Sequence, residues 1–310
     1  MGSNTNQPAI SVIIPAYNEG PAVGHVVSQV KECLQAEEVS FEIVVIDDGS
    51  EDETAAVATE AGARVVRHPY NIGNGAAVKT GIRQARGDIL VMLDGDGQHR
   101  PEAIPRLLEE LGPYDMVVGA RTRGSRTALH RDLANTVYNW LAGYVCGRKI
   151  DDLTSGFRAI KTAIARRFAY LLPNTFSYPT TLTLAVVRSG HSLAYVPVQT
   201  ARRVGRSKIR LLRDGARFLL IILRIATFFS PMKVFLPASV LMFLLGFGYG
   251  LYKVVVLGSR YGPTSAMLMT VSVLVFLVGL VSEQVAQLGF SWSDTTAQPR
   301  EGDAPSPPPE

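Results

Sequence analysis

The stretch Leu93–Glu102, LDGDGQHRPE, places two aspartates one residue apart, directly after the apolar run DILVML of Asp88–Leu93. Like charges this close repel each other, and each raises the pKa of the other. A divalent cation would compensate both charges, because hard cations take oxygen ligands. The stretch therefore predicts that Asp94 and Asp96 are metal ligands at the end of a buried strand.

Composition and charge distribution point to a membrane-associated chain. Of the 310 residues, 47% are hydrophobic, and the mean hydropathy of +0.15 is high for a soluble protein. The formal net charge is only +4, but residues 202–224 hold eight Lys or Arg and one acid. Two cysteines are too few for a disulfide framework, so we interpret both as thiols in a reducing compartment.

Short apolar runs alternate with helical patterns in the first part of the chain. The runs predict strands at Ala9–Pro15, Phe41–Gly49, Ala63–His68, Gly87–Asp94 and Tyr114–Ala120. Helical patterns lie between them, at about 22–37, 51–60, 75–85 and 101–111. This alternation predicts an α/β fold with a mostly parallel sheet, in which ligands bind beyond the carboxyl ends of the strands. Asp47, Asp48, Asp94 and Asp96 all follow such strands and are expected to converge on one crevice.

The second half of the chain predicts a helix at Leu129–Cys146 and then membrane elements. Ile209–Phe229 carries arginines at helical spacing among apolar residues, which is typical of a helix lying in a membrane interface. Val234–Tyr252 and Tyr261–Ser282 are uncharged and long enough to cross a bilayer as a hairpin. The basic residues of 202–224, which precede them, favour a multi-pass protein of the cell membrane with its first domain in the cytoplasm.

The predicted domain organisation has four parts. Residues 1–208 form the α/β domain and 209–230 the interface helix. Residues 231–289 form the two spans, and 290–310 form a Pro-rich, disordered tail.

Three motifs together resemble the family 2 glycosyltransferases with the GT-A fold, a Rossmann-like α/β fold. They are IPAYNEG (Ile14–Gly20), VIDDGSEDET (Val45–Thr54) and LDGDGQHRPE, and the resemblance extends over about 10–208. Within that family, DLTSGFRA (Asp152–Ala159) and RRVGRSK (Arg202–Lys208) are similar to the polyprenyl-phosphate sugar transferases, the group of dolichol-phosphate mannose and glucose synthases.

The resemblance implies an activity and its partners. A hexose, mannose or glucose, would move with inversion from GDP-mannose or UDP-glucose to dolichyl or undecaprenyl phosphate, with Mg²⁺ or Mn²⁺ on the donor. Such enzymes work at a bilayer and can form homo-oligomers.

The resemblance also implies roles for individual residues. Metal ligands would be Asp94, Asp96 and Gln98, of which Asp94 and Gln98 also lie next to the donor phosphates. The nucleotide would contact Pro15, Ala16, Tyr17, Glu19, Asp47 and Asp48. Catalytic cations near the phosphates would be Arg121, Arg131, Arg202 and Lys208, beside the catalytic Asp96.

Structural alternatives exist for several of these residues. Asp48 is alternatively a helix cap, since DGSEDE is rich in capping residues and acids. Tyr17 is alternatively a core tyrosine, and the basic cluster alternatively attracts anionic lipid. The glycines of NIGNG (Asn71–Gly75) are expected to permit close backbone approach at a helix start.

No catalytic base is needed if the acceptor is a phosphomonoester. Its second pKa lies near 6, so at pH 7 the nucleophile is already largely dianionic. Cations that hold two anions together then matter more than a base. His68, His99 and His130 are accordingly expected to be structural or surface residues.

Two other functions are weaker alternatives. A processive polysaccharide synthase of the same fold would carry Q-x-x-R-W before its spans, and neither Trp140 nor Trp292 lies in that context. A non-catalytic membrane regulator with a decayed transferase domain is disfavoured by the intact Asp94, Asp96 and Arg202. Nucleic-acid binding is not expected, because the basic residues adjoin membrane segments and lack interleaved aromatics.

Overall fold

The computed structural model describes residues 7–121, 129–175, 177–199, 226–228 and 230–295. For residues 129–135, 137–138 and 289–295 it describes the backbone alone. The chain divides into two compact units, Met1–Ala216 and Arg217–Glu310.

The larger unit is an α/β domain built around one sheet. Its strands are β1 (Ile10–Ala16), β2 (Phe41–Asp47), β3 (Arg64–Arg67), β4 (Ile89–Met92), β5 (Met116–Arg121), β6 (Arg158–Lys161) and β7 (Leu193–Val198). Its helices are α1 (Gly20–Ala36), α2 (Thr54–Glu60), α3 (Asn74–Gln84), α4 (Ile104–Leu111), α5 (Leu129–Cys146), α6 (Thr162–Phe168) and α7 (Tyr178–Arg188). The five predicted strands and the mostly parallel sheet are confirmed.

The strand order determines which loops meet. The order is β3-β2-β1-β4-β6-β5-β7, and β6 runs antiparallel to both β4 and β5. All other neighbouring strands are parallel. The carboxyl ends of β1, β2, β4 and β5 therefore lie at the same edge as the amino end of β6. We call this the carboxyl edge.

Hydrophobic periodicity explains how the helices cover the sheet. α1 buries Val23, Val26, Val27, Val30 and Leu34, a stripe at helical spacing. This stripe packs in one core cluster with alternate residues of the central strands, such as Val12 and Ile14. On the other face, α3 approaches closely, since a Cβ at Gly81 would lie 2.3 Å from Ile13 Cγ2. The sheet thus has apolar residues on both faces, as the continuous apolar runs predict.

A charged cluster joins three strands at the edge opposite to the carboxyl edge. The Asp115 carboxylate lies 2.8 Å from Lys161 Nζ. It also accepts hydrogen bonds from the backbone N–H of Ser192 at 3.0 Å and from its hydroxyl at 3.1 Å. Burial acts to raise the pKa of Asp115, but the bonds from Lys161 and Ser192 dominate and hold it well below its ordinary value.

We expect Asp115→Asn to lower the free energy of unfolding by about 1–2 kcal/mol at pH 7, because charge-assisted bonds become neutral ones. A carboxylate with a depressed pKa contributes stability that is fully present above the unfolded pKa of about 4 and is lost as the pH falls below it. The difference between wild type and variant should therefore shrink below about pH 4. Urea denaturation from pH 7 to pH 3 measures it, with the exposed Asp88→Asn as control. A difference that stays constant over this range would contradict the assignment.

The smaller unit contains two long apolar helices, α8 (Met232–Val255) and α9 (Pro263–Thr295). Both are long and apolar enough to cross a membrane, by length and composition. They pack against each other through small residues, and a Cβ at Gly279 would lie 2.6 Å from Phe235 Cβ. The Glu283 carboxylate accepts a hydrogen bond from the Met232 backbone N–H at 3.2 Å. The two predicted spans thus correspond to two helices packed as a hairpin.

Candidate active site

The turn after β4 is held by close packing and by one left-handed residue. Gly97 has φ +69°, and the Gln98 backbone N–H donates to Asp96 Oδ1 at 3.1 Å. The left-handed conformation of this turn lies at Gly97 and not at Gly95. Gly95 is needed for space instead, since a Cβ there would lie 2.5 Å from Glu19 Oε2.

The Asp94 carboxylate lies in a confined, half-buried position, with 32% of its side chain exposed. Its Oδ2 lies 3.8 Å from Nε2 of the buried His99, and a Cβ at Gly156 would lie 2.8 Å from the same oxygen. Burial, followed by the negative charge of Asp96, raises the pKa of Asp94, although His99 acts in the opposite direction. His99 is therefore a neighbour of the carboxylate pair, a position that its spacing in the sequence did not indicate.

The donor set of this pair fits a divalent cation that is shared with a phosphate ligand. Within the described ranges, no group of three or more His, Cys, Asp or Glu side chains is arranged to hold a metal. Asp94 and Asp96 together supply two carboxylates. Mg²⁺ is commonly bound by one or two carboxylates together with substrate phosphates, rather than by a complete protein cage. The pair suits that mode of binding.

The β1–α1 loop carries the residues expected to contact a nucleotide. Pro15 and Ala16 are buried in the last positions of β1, and Tyr17 is 43% exposed beyond them. This exposure excludes the alternative that Tyr17 is a core residue. Glu19 occupies the N-cap position of α1, and its backbone N–H donates to Thr54 Oγ1 at 2.9 Å. The loop thus presents Tyr17 at the carboxyl edge on a backbone fixed to the start of α2.

The Asp47 carboxylate is fully buried at the end of β2. Its Oδ1 accepts a hydrogen bond from the Ser50 backbone N–H at 2.9 Å, and its Oδ2 lies 3.1 Å from Arg67 Nε. The Arg67 side chain is 60% exposed. A ligand that binds Asp47 must therefore displace the Arg67 side chain from a buried carboxylate. Because the Arg67 side chain is largely exposed, it can move into the solvent.

Asp48 fixes the loop that leads into α3. Its Oδ1 lies 2.7 Å from His68 Nδ1 and accepts from the Ile72 N–H at 3.0 Å. Its Oδ2 accepts from the N–H of Gly73, the N-cap residue of α3, at 2.8 Å. Asp52, not Asp48, bonds to the first residue of α2, Thr54. Asp48 therefore does not cap α2, the helix that follows DGSEDE, and instead anchors the loop that precedes α3.

Arg121, the last residue of β5, is clamped by Asp152. Its Nε donates to Asp152 Oδ2 at 2.9 Å, and its Nη2 donates to Asp152 Oδ1 at 3.0 Å. Nη2 also bonds to Thr154 Oγ1. Burial acts to raise the pKa of Asp152, but the bonds from Arg121 hold it below its ordinary value. The guanidinium is therefore held in place by the DLTSGFRA motif, whose function the sequence left open.

Arg158 is a buried cation that the sequence analysis did not identify. Its side chain is fully buried, and its Nη1 donates to Pro179 O at 3.1 Å and to Thr183 Oγ1 at 3.2 Å. Its Nη2 donates to Ser155 O. The same guanidinium thus joins α7 to the loop that contacts Asp94 through Gly156. A charged residue inside the short strand RAIK was the available signal.

Three predicted phosphate-binding residues cannot be placed. The Arg131 side chain, Arg202 and Lys208 lie outside the described residues, as does most of the predicted interface helix at 209–230. Their roles stay predictions.

Similar solved structures identify the fold of the α/β unit. Glucosyl-3-phosphoglycerate synthase from Mycobacterium tuberculosis, in complex with Mn²⁺, uridine diphosphate and phosphoglyceric acid, aligns with a TM-score of 0.58. The identity is 20%, over 71% of this chain and 78% of that chain. The same protein with Mg²⁺ and uridine diphosphate aligns with a TM-score of 0.55 and 22% identity, over 71% and 79% of the chains. The α/β unit therefore has the GT-A glycosyltransferase fold.

The family follows from the sequence itself. The profile of glycosyl transferase family 2 matches residues 11–171, more than half of the chain, and the chain belongs to this family. The profile of the GtrB C-terminal hairpin matches residues 230–288, the region of α8 and α9.

Relatives of similar length share both parts of the chain. The undecaprenyl-phosphate 4-deoxy-4-formamido-L-arabinose transferase of Sodalis glossinidius is 25% identical, over 94% of this chain and 91% of the relative. The dodecaprenyl-phosphate galacturonate synthase of Rhizobium johnstonii is 26% identical, over 91% of this chain and 90% of the relative.

Proposed function

We propose that this glycosyltransferase moves a sugar, with inversion, from a nucleoside diphosphate to the phosphate of a polyprenyl phosphate. One observation carries the proposal: a carboxylate pair and a guanidinium lie at the same edge of the sheet. Asp94 and Asp96 follow β4, Arg121 is the last residue of β5, and both strands pair with β6. A carboxylate pair suited to a metal diphosphate thus lies at the same edge as a guanidinium suited to a second phosphate.

On the donor side, Asp94 and Asp96 would hold Mg²⁺ or Mn²⁺, with the Gln98 side chain next to the donor phosphates. A bound divalent ion would neutralise charge on the departing nucleoside diphosphate. Tyr17, with Pro15, Ala16 and Glu19 behind it, would border the nucleoside. Asp47 would accept a hydrogen bond from the base after Arg67 has swung out, and Asp48 would act through the loop that it anchors.

On the acceptor side, the chain needs to bind an anion rather than remove a proton. A phosphomonoester has its second pKa near 6 and attacks as a dianion at pH 7. Arg121 would hold its oxygens, assisted by Arg131, Arg202 and Lys208. The two relatives above, named for undecaprenyl and dodecaprenyl phosphates, support a polyprenyl acceptor.

The finer assignments are part of the same proposal. The sugar is mannose or glucose, supplied as GDP-mannose or UDP-glucose. The protein is a multi-pass protein of the cell membrane, with residues 1–208 as its cytoplasmic catalytic domain, and it forms homo-oligomers. Two apolar helices that match the GtrB hairpin profile support the membrane assignment.

A donor panel tests this function. Purified full-length protein with Mn²⁺ and undecaprenyl or dolichyl phosphate is given GDP-mannose, UDP-glucose, UDP-galacturonate or UDP-4-deoxy-4-formamido-L-arabinose. We expect one glycolipid from one donor, and we expect EDTA to abolish its formation, because removing the cation leaves the diphosphate charge uncompensated. Mass spectrometry of the lipid extract measures both. A polymeric product would favour the processive synthase, and folded protein that transfers from no donor would favour the regulator.

A further inference from the structure

His99 is a buried histidine beside the carboxylate pair, and the proposed function gives it no role. Its side chain is only 8% exposed, and its Nε2 lies 3.8 Å from Asp94 Oδ2. Its Nδ1 is buried and has no hydrogen-bond partner among the residues that the structure describes. An imidazolium carries two N–H donors and needs two acceptors. The geometry therefore favours a neutral ring with its proton on Nε2, because the other tautomer would bury an unpaired N–H and turn a lone pair toward the carboxylate.

The His99 ring is held in place by Phe157 of the DLTSGFRA motif. The two ring centroids lie 5.3 Å apart with the planes inclined at 32°, a separation at which aromatic rings attract each other. Phe157 is itself fully buried, and its carbonyl accepts a hydrogen bond from the Gly119 N–H of β5 at 2.9 Å. A Cβ at Gly119 would lie 2.8 Å from Phe157 Cδ1. His99 is thus backed by the sheet, and a shift of its ring away from Asp94 would disturb this packing.

The two oxygens of the Asp94 carboxylate have different surroundings. Oδ2 faces protein, with His99 Nε2 as one neighbour and Gly156 as another, since a Cβ at Gly156 would lie 2.8 Å from this oxygen. The Asp94 side chain is nevertheless partly exposed, so the open side of the carboxylate is that of Oδ1. The distance of 3.8 Å from Nε2 to Oδ2 is longer than a hydrogen bond. Active-site hydrogen bonds often reach their final length only when the substrate is bound.

We propose that His99 is a positioning residue for the metal ligand Asp94: its Nε2–H donates to Oδ2 and thereby directs Oδ1 toward the cation. Groups that hydrogen-bond to a metal ligand fix its orientation, and their loss commonly costs about 10–100-fold in metal affinity. This role rests on the proposed function, since it assigns the cation to a nucleoside diphosphate. It extends the donor site to a third side chain, which acts through the position of one N–H and does not touch the substrate.

Three substitutions separate the Nε2–H donor from the packing of the ring. His99→Leu removes both, His99→Gln places a side-chain N–H near the position of Nε2, and His99→Asn places one near Nδ1, away from Asp94. Calorimetry on the full-length protein in detergent measures the affinity for UDP and for GDP, each with and without Mn²⁺. We expect His99→Leu and His99→Asn to lower the Mn²⁺-dependent affinity by about tenfold or more. His99→Gln should stay within about threefold of wild type, because it keeps the donor.

A second histidine of the same domain provides the matched control. His191 also lies beside a carboxylate and a phenyl ring, with its Nδ1 3.3 Å from Asp115 Oδ2 and its ring centroid 6.0 Å from that of Phe168. It belongs to the edge opposite to the carboxyl edge, so His191→Leu should lower the thermal midpoint without changing the Mn²⁺ dependence of nucleotide binding. In His99→Leu, the Mn²⁺ concentration for half-maximal transfer should rise while the acceptor KM stays unchanged, because Arg121 has its own clamp.

Equal losses in His99→Leu and His99→Gln would overturn the proposal, because the packing of the ring on Phe157 would then be its whole contribution. Wild-type affinity in His99→Leu would overturn it too, as would nucleotide binding by the wild type that Mn²⁺ does not strengthen. If His99→Leu does not fold, His99→Gln against His99→Asn decides, since both lose the ring and they differ in the reach of the amide. Wild-type protein that binds Mn²⁺ and nucleotide but forms no glycolipid would count against the proposed transfer alone, and the calorimetry would still decide the role of His99.

Discussion

Replacing Asp96 with alanine is expected to lower kcat/KM for sugar transfer by about a thousandfold, equivalent to about 4 kcal/mol of transition-state stabilisation. The carboxylate follows β4 at the carboxyl edge, and its Oδ1 bonds only to a backbone N–H, that of Gln98, among the described residues. Its other oxygen is thus available to a cation. Asp94→Asn should have a similar effect, because the two carboxylates act on one ion.

The measurement separates loss of metal binding from loss of fold. Calorimetry of nucleotide binding with and without Mn²⁺ should show that Asp96→Ala loses most of the metal-dependent affinity while its thermal midpoint stays close to wild type. Asp88→Asn is the matched control, since Asp88 is exposed and lies immediately before the first residue of β4, at the end of the strand away from Asp96. If Asp96→Ala transferred sugar at the wild-type rate with the same Mn²⁺ dependence, the pair would not be the metal site.

The sheet was largely predictable because its parallel strands are continuous apolar runs. Such runs arise where strands are buried on both faces, and they need no knowledge of the neighbouring strands. β6 was missed because it has only four residues, Arg158–Lys161, two of them charged. Its position depends on pairing with β4 and β5 and on burial of Arg158, which are tertiary effects. No local pattern in 154–197 specifies them.

The partners of the carboxylates were less predictable than their positions. Spacing placed Asp47 and Asp48 at the end of β2, but it could not show that β3 lies beside β2. The register pairs Asp47 with Arg67, and the next residue, His68, then reaches Asp48. Such pairs can be named only once the strand order is known. The sequence therefore shows carboxylates that could bind a ligand, but it does not show the basic side chains that already pair with them.

The glycines of NIGNG are a second case in which the sequence did not reveal the neighbouring group. Close backbone approach was expected there, and it is found, but the approaching group is protein. A Cβ at Gly73 would lie 2.2 Å from Asn174 O, and one at Gly75 would lie 2.0 Å from Pro173 O. The motif predicted the need for glycine, while the identity of the neighbour depended on a loop a hundred residues further on.

Replacing Arg121 with alanine is expected to lower kcat/KM for the acceptor by about a hundredfold, because a charge-assisted contact to the phosphate is lost. Asp152→Asn should cost about tenfold, since it keeps the shape of the clamp but removes the charge that fixes the guanidinium. The double variant should be no worse than Arg121→Ala alone, because Asp152 acts through Arg121. Steady-state kinetics at varied acceptor, with saturating donor, measure all three, and the loss should appear mainly in the acceptor KM.

The Arg64–Glu42 pair provides the control for a purely structural ion pair. It has the same chemistry, with Arg64 Nε and Nη2 donating to Glu42 at 3.2 Å and 2.8 Å, but it lies where β2 and β3 begin. Arg64→Ala should therefore lower stability without changing the acceptor KM. Additive losses in the Arg121 and Asp152 double variant, or an acceptor KM that responds equally to Arg64→Ala, would show that the clamp supports the fold and does not position a phosphate-binding cation.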